Sequence, residues 1–189
     1  MIELLRAASA ARRASLALAV ALALVAASAS SASAEPAPAV EAWAGRYRYA
    51  GGEPEVRGLD AAIEAVVRRM SFFIRGIARR RLREPNLPSE ELEIRVGGGV
   101  VTILRPGRPT VSAPASGAVA EWRSPSGDSF RVSHRVVGGE LIQRFEGSAS
   151  WSENRFALQE GGARLVVDTT IEAKRLPAPL RFRTTYHRI

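Results

Sequence analysis

The chain contains no cysteine, which excludes disulfide staples, thiolate metal sites and thiol nucleophiles together. Histidine is nearly as scarce: His134 and His187 are the only two, and neither accompanies a carboxylate cluster at metal-ligand spacing. No metal centre is expected. No cofactor is expected either, because Gly97-Gly98-Gly99 does not open a helix and so is not a phosphate loop. Ser133, Ser148, Ser150 and Ser152 lack the Gly-x-Ser-x-Gly setting of a nucleophile elbow, and a catalytic role is not expected. Lysine is heavily outnumbered by arginine, and no apolar run beyond the first residues is long enough to cross a bilayer as a helix.

What the chain does have starts with a leader. Arg6, Arg12 and Arg13 precede an apolar run at 15–27, and Ala32-Ser33-Ala34 offers small residues for cleavage. Residues 1–34 are therefore expected to be a signal peptide, cut after Ala34, and the protein to be exported to the periplasm or secreted. Residues 35–41, with Pro36 and Pro38, read as a flexible lead-in, and 42–189 as one domain large enough to bury a core without staples. The formal charge is +8, and it stays positive when the leader is set aside. In an exported protein such charge favours an anionic membrane surface or lipopolysaccharide over nucleic acid.

The hydrophobic period changes twice along the domain. Trp43, Gly45, Tyr47 and Tyr49 alternate with Arg46 and Arg48 as in a half-buried strand, and Gly51-Gly52-Glu53-Pro54 is expected to end it as a turn. Leu59, Ile63, Val66, Val67, Met70, Phe73, Ile74 and Ile77 then recur at steps of three and four, predicting an amphipathic helix over about 59–82. Gly76 within the stripe, or a bend near Ser71, divides it into a helix pair in the alternative arrangement. Asp60 and Glu64 lie near the start of this segment, and Arg75, Arg79, Arg80, Arg81 and Arg83 crowd its end, as the helix dipole favours. Those five arginines are the candidate anionic-surface patch.

From 91 onward the pattern is strand again, over 91–96, 100–105, 117–123, 129–137, 140–147, 151–159, 163–173 and 179–187. Glycine pairs at 138–139 and 161–162, the triplet at 97–99 and Ser126-Gly127-Asp128 fall between consecutive runs, as hairpin turns require. The stretch 105–116, with Pro106, Pro109 and Pro114, is expected to be a long loop or a broken edge. Nine strands in meander order predict a mainly β, antiparallel up-and-down barrel, with a two-sheet sandwich as the alternative. Strand parity then places Tyr47, Trp122, Phe130, His134, Gln143, Phe145, Asn154, Phe156, Thr169, Thr184 and Tyr186 inside. An apolar interior with a few polar anchors suits a ligand cavity.

One strand carrying Trp43-x-Gly45-x-Tyr47, then a helical segment, then hairpin-linked strands, resembles the calycin superfamily, most nearly the intracellular lipid-binding (fatty-acid-binding) proteins. That resemblance implies a calycin-like barrel with a helix-turn-helix lid between strands 1 and 2, where 59–82 falls. Lipocalins, the exported relatives, open with Gly-x-Trp and lack that lid. Many fatty-acid-binding proteins hold the ligand carboxylate with Arg-x-Tyr in the last strand. Here Tyr186 is present, but Thr184 stands two positions before it, and Arg183 and Arg188 face outward by parity.

The expected function is that of an exported, non-enzymatic barrel binding a small hydrophobic or amphipathic, lipid-like ligand. The candidate ligand-binding residues are Tyr47, Phe73, Trp122, Phe130, His134, Gln143, Phe145, Thr169, Thr184 and Tyr186. The alternative is a pocketless envelope interaction module that binds anionic glycolipid or a partner protein through its surface arginines.

Overall fold

A computed structural model describes residues 39–189, so the expected signal peptide at 1–34 lies outside the described residues. A 3-10 turn at Val40–Trp43 leads into strand β1 (Gly45–Tyr49), helix α1 (Gly52–Val67), a 3-10 turn (Phe72–Ile74), helix α2 (Arg75–Arg83) and a further 3-10 turn (Glu84–Asn86). The strands that follow are β2 (Glu91–Gly97), β3 (Val100–Leu104), β4 (Val111–Pro114), β5 (Ala120–Arg123), β6 (Ser129–Val137), β7 (Glu140–Glu146), β8 (Ser150–Gln159), β9 (Arg164–Ala173) and β10 (Leu180–Arg188).

All ten strands form one antiparallel sheet in the order β4-β3-β2-β1-β10-β9-β8-β7-β6-β5. This is the expected up-and-down barrel with a helix pair between its first two strands, and it is nearly closed. Turn chemistry sets the hairpins: β6 and β7 are joined by Gly138-Gly139, whose φ angles of 59° and 78° only glycine adopts without strain.

The seam between β4 and β5 has no backbone ladder. Side chains bridge it instead: Trp122 Nε1 donates to Thr110 O at 3.0 Å, and His134 Nδ1 lies 3.3 Å from Ala113 O. β4 itself occupies the proline-rich stretch expected as a loop or broken edge, and Pro114 is its last residue. A proline fits there because an edge strand leaves some backbone amides without a ladder partner.

Three features of the first segment differ from expectation. Trp43 closes the 3-10 turn and does not open β1. Gly52-Glu53-Pro54 begins α1 and is not a turn, since the first helical turn needs no amide donor from proline, and Glu53 and Glu55 suit its dipole. Most consequentially, the apolar stripe does not run unbroken to Ile77. The chain leaves helical geometry after α1, with Ser71 at ψ 137°, so the helical phase restarts in α2.

α1 buries Leu59, Ile63, Val66 and Val67 against Leu180, with Ile171, Leu176 and Phe182 packed around them. α2 turns Ala78 and Leu82 toward this cluster. Phe72, Phe73, Ile74 and Ile77 are left exposed, Phe73 to 90%. α1 also takes over a strand edge. β10 pairs with β1 only through Tyr186–Arg188, and ahead of that the Thr185 amide and hydroxyl both donate to Glu55, at 2.8 and 2.6 Å.

Candidate functional site

The barrel interior is divided into a filled half and an open half. Trp43, Tyr47, Leu92, Ile94, Val101, Ile103, Leu141, Phe156, Leu165, Val167 and Tyr186 make one continuous buried cluster. Its polar atoms satisfy one another: Trp43 Nε1 donates to Phe156 O at 2.9 Å, Tyr47 Oη donates to Trp43 O at 2.7 Å, and Arg188 donates to Tyr47 Oη at 2.8 Å. Tyr47, a sequence candidate for ligand contact, is thus placed in this core and not among the residues that line the cavity. Parity placed it inside, but an inward side chain next to Trp43 finds its partners in protein.

Beyond this cluster lies a cavity of about 480 Å³, within the range of small-molecule sites. Leu92, Phe156, Val167 and Tyr186 belong to both the cluster and the cavity wall, and so form its floor. Trp122, Phe130 and Phe145 pack edge-on or tilted at centroid separations of 5.5 to 6.4 Å and supply an aromatic wall. Residues 85–89, together with Gly107, Arg108 and Pro109, also line it. Arg108 ties these two segments by donating to the carbonyls of Pro85, Glu84 and Leu87 at 2.8 to 3.3 Å.

Of the sequence candidates, Trp122, Phe130, Phe145, Thr169, Thr184 and Tyr186 meet at this cavity. Phe73 does not, because the break after α1 turns it to solvent. His134 and Gln143 are fully buried and stand behind the wall. The rungs of the sheet align Phe182, Thr169, Asn154, Gln143 and His134 across β10 to β6. Four of those side chains are hydrogen-bonded in series. Thr169 Oγ1 donates to Asn154 Oδ1 at 2.8 Å, Asn154 Nδ2 to Gln143 Oε1 at 2.9 Å, and Gln143 Nε2 lies 3.0 Å from His134 Nε2.

Burial holds the His134 imidazole below the usual histidine pKa and so keeps it neutral, against a smaller opposing effect from the carbonyls of Ala113 and Val101. Among the described residues the two ring nitrogens face the Ala113 carbonyl and the Gln143 amide, and no carboxylate is bonded to either. Among the described residues no group of three His, Cys, Asp or Glu is placed to hold a metal ion.

The residue that sequence reasoning missed is Arg105. It follows β3, whose inward residues are Val101 and Ile103, and parity carried one step further would have placed it inside; the neighbouring prolines masked this. Burial lowers its pKa, and the Tyr186 phenol is the favourable partner beside it. Among the described residues Arg105 forms no ion pair. Burial raises the pKa of Tyr186, with Arg105 pulling the other way, while the Thr184 side chain and the Ser89 backbone approach its hydroxyl. A guanidinium, a phenol and a threonine hydroxyl therefore converge at one end of an apolar cavity.

The arginine patch is mostly engaged elsewhere. Arg75 donates to the Met70 and Arg68 carbonyls at 3.0 and 2.8 Å and so caps the end of α1. Arg79 grips Glu64 at 2.8 and 2.9 Å, and Arg83 bonds Asp60 at 2.6 Å, stitching α1 to α2. Only Arg80 and Arg81 of the five remain as exposed cations with no ion pair among the described residues.

No family model matches the chain, and no curated protein matches it. Solved structures do. The chain is similar to lipid binding protein 8 of Caenorhabditis elegans, with a TM-score of 0.51 and 13% identity over 80% of this chain and 98% of that one. It is also similar to an abundant heat soluble protein of Ramazzottius varieornatus, with a TM-score of 0.51 and 11% identity over 78% of this chain and 96% of that one. Together with the strand order and the inserted helix pair, these likenesses make the fold a calycin-like barrel.

Proposed function

We propose that this protein is a non-enzymatic, exported carrier whose open half-barrel takes a lipid-like amphipathic anion. The head group sits at Arg105, Tyr186 and Thr184, and the tail lies against Trp122, Phe130 and Phe145. The observation that carries this is Arg105: a guanidinium on the cavity wall with no carboxylate paired to it among the described residues. Even a half-buried charge without a partner is costly, and an anionic ligand offsets that cost. The structural similarity to a lipid binding protein of C. elegans supports the same choice of ligand class, and export rests on the leader sequence.

Displacement of a fluorescent fatty acid by a long-chain carboxylate and by the matching alcohol tests the proposal. A charge-assisted hydrogen bond contributes roughly 1.5–3 kcal/mol, so the wild-type protein should prefer the carboxylate by about ten- to a hundredfold. Arg105→Leu should abolish that preference. Equal affinity of wild type for acid and alcohol would refute the anionic head-group site.

A second surface suits delivery. Phe72 (76% exposed), Phe73, Ile74 and Ile77 project from the link and α2 beside the exposed Arg80 and Arg81. Apolar side chains flanked by cations fit an anionic lipid surface, which the aromatic rings enter while the guanidinium groups stay at the head groups. Sedimentation with anionic vesicles should fall on F72S/F73S replacement and at high salt, whereas binding indifferent to both would leave the helix pair as a simple cap on the barrel.

A further inference from the structure

The hydrogen-bonded series behind the cavity has a direction, and its far end fixes that direction. His134 Nδ1 faces the Ala113 carbonyl at 3.3 Å, which only accepts, and Nε2 faces the Gln143 amide nitrogen, which only donates, so the neutral ring is assigned its proton on Nδ1. In the neutral ring Nε2 is then a lone pair, and Gln143 Nε2 must donate to it across 3.0 Å. Gln143 consequently presents Oε1 to Asn154, which donates through Nδ2 and in turn presents Oδ1 to Thr169. Every link is determined by the one before. The last one consumes the only hydrogen on Thr169 Oγ1.

At the cavity end the series leaves two unused capacities. Thr169, only 8% exposed, has lone pairs but no hydrogen to offer. Asn154 has a second amide hydrogen with no acceptor among the described residues. Both residues line the cavity beside Phe145, Phe156 and Phe182. An acceptor and a donor side by side on this wall, between the rings of Phe145, Phe156 and Phe182 and next to Ser152, match one common group, a hydroxyl, which donates to the first and accepts from the second. A plain hydrocarbon tail would leave both polar atoms unmatched in a dry site.

We propose that Asn154 and Thr169 form a hydroxyl-recognition subsite, so that the favoured ligand is an amphipathic anion bearing a hydroxyl partway along its chain. This rests on the carrier reading and adds a second anchor to it. Thr169 lies opposite Phe182, two residues along β10 from Thr184 and four from Tyr186, so it stands on the order of 7 to 13 Å of strand from the head-group residues of β10. A hydroxyl well down the tail reaches Thr169 while the head group stays at Arg105.

The test compares stearate with a panel of its mid-chain monohydroxy derivatives, each displacing a fluorescent fatty acid from the full protein. At least one derivative should bind wild type about tenfold more tightly than stearate, as expected for a pair of neutral hydrogen bonds. Thr169→Val should erase that preference while still binding stearate, and Thr169→Ser, which keeps the hydroxyl and the polarity of the series, should retain it. Wild type binding stearate as tightly as every derivative overturns the subsite alone, as does a preference that survives Thr169→Val. Failure to bind stearate and all derivatives alike overturns the carrier reading, and this inference with it.

Discussion

The two halves of the barrel are built from the same strands by the same alternation, yet they treat polar atoms in opposite ways. In the filled half Trp43, Tyr47 and Arg188 use their donors on one another and on nearby carbonyls. In the open half Arg105 has no counter-ion among the described residues, and the Asn154–Thr169 pair ends with unspent capacity. Completeness on one side shows that the sequence can satisfy its interior where nothing else is to be bound. Incompleteness on the other is therefore informative about a ligand.

That contrast is most strongly challenged by paired tryptophan truncations. Trp43→Ala removes a fully buried ring and its bond to Phe156, and should cost about 3–5 kcal/mol in urea melts. Trp122→Ala removes a half-buried ring beside empty space, and should cost on the order of 1–2 kcal/mol. Equal losses would mean that the two halves are not packed differently.

Replacing Arg105 sharpens the comparison in the other direction. Arg105→Leu exchanges a half-buried cation, without an ion pair among the described residues, for a shorter apolar side chain, so the unliganded protein should be about as stable as wild type by thermal melting. A marked loss of stability would show that Arg105 is a structural residue and not a waiting anchor.

The smallest effect concerns pH. The folded-state pKa of His134 is depressed by burial, so the unfolded chain takes up that proton first. Its contribution is full above about pH 6.5 and is lost as pH falls below that, toward the folded-state value. The melting temperature of wild type should therefore decline on acidification more steeply than that of His134→Gln. Parallel declines would show that His134 does not titrate in this window, and that the neutral end of the hydrogen-bonded series is held by something else.

The sequence disclosed the architecture because strand parity and glycine turns are local signals. The register of β6 through β10 follows from alternation such as Phe130, Val132, His134 and Val136, and the order of one strand, helices and then a meander was visible in the change of period. What stayed hidden was non-local. Parity shows that Tyr47 points inward but not that Trp43 and Arg188 occupy its surroundings. A helical stripe read across Ser71 assumes one continuous phase, and the break there put Phe73 in solvent. Arg105 escaped notice because prolines on both sides of Gly107 suggested a loop, although Val101 and Ile103 already set its face. The partners of Arg75, Arg79 and Arg83 emerge only once α2 folds back on α1.

The three tryptophans offer the most direct measurement, since Trp43 lies in the filled half, Trp122 on the cavity wall, and Trp151 outside, stacked under Arg144 at 3.9 Å. In single-tryptophan variants with phenylalanine at the other two positions, a brominated long-chain carboxylate should quench Trp122 saturably and leave Trp43 and Trp151 unaffected. Quenching of Trp43 to the same extent, quenching of Trp151 alone, or no saturable quenching at all would contradict a ligand held in the open half of the barrel.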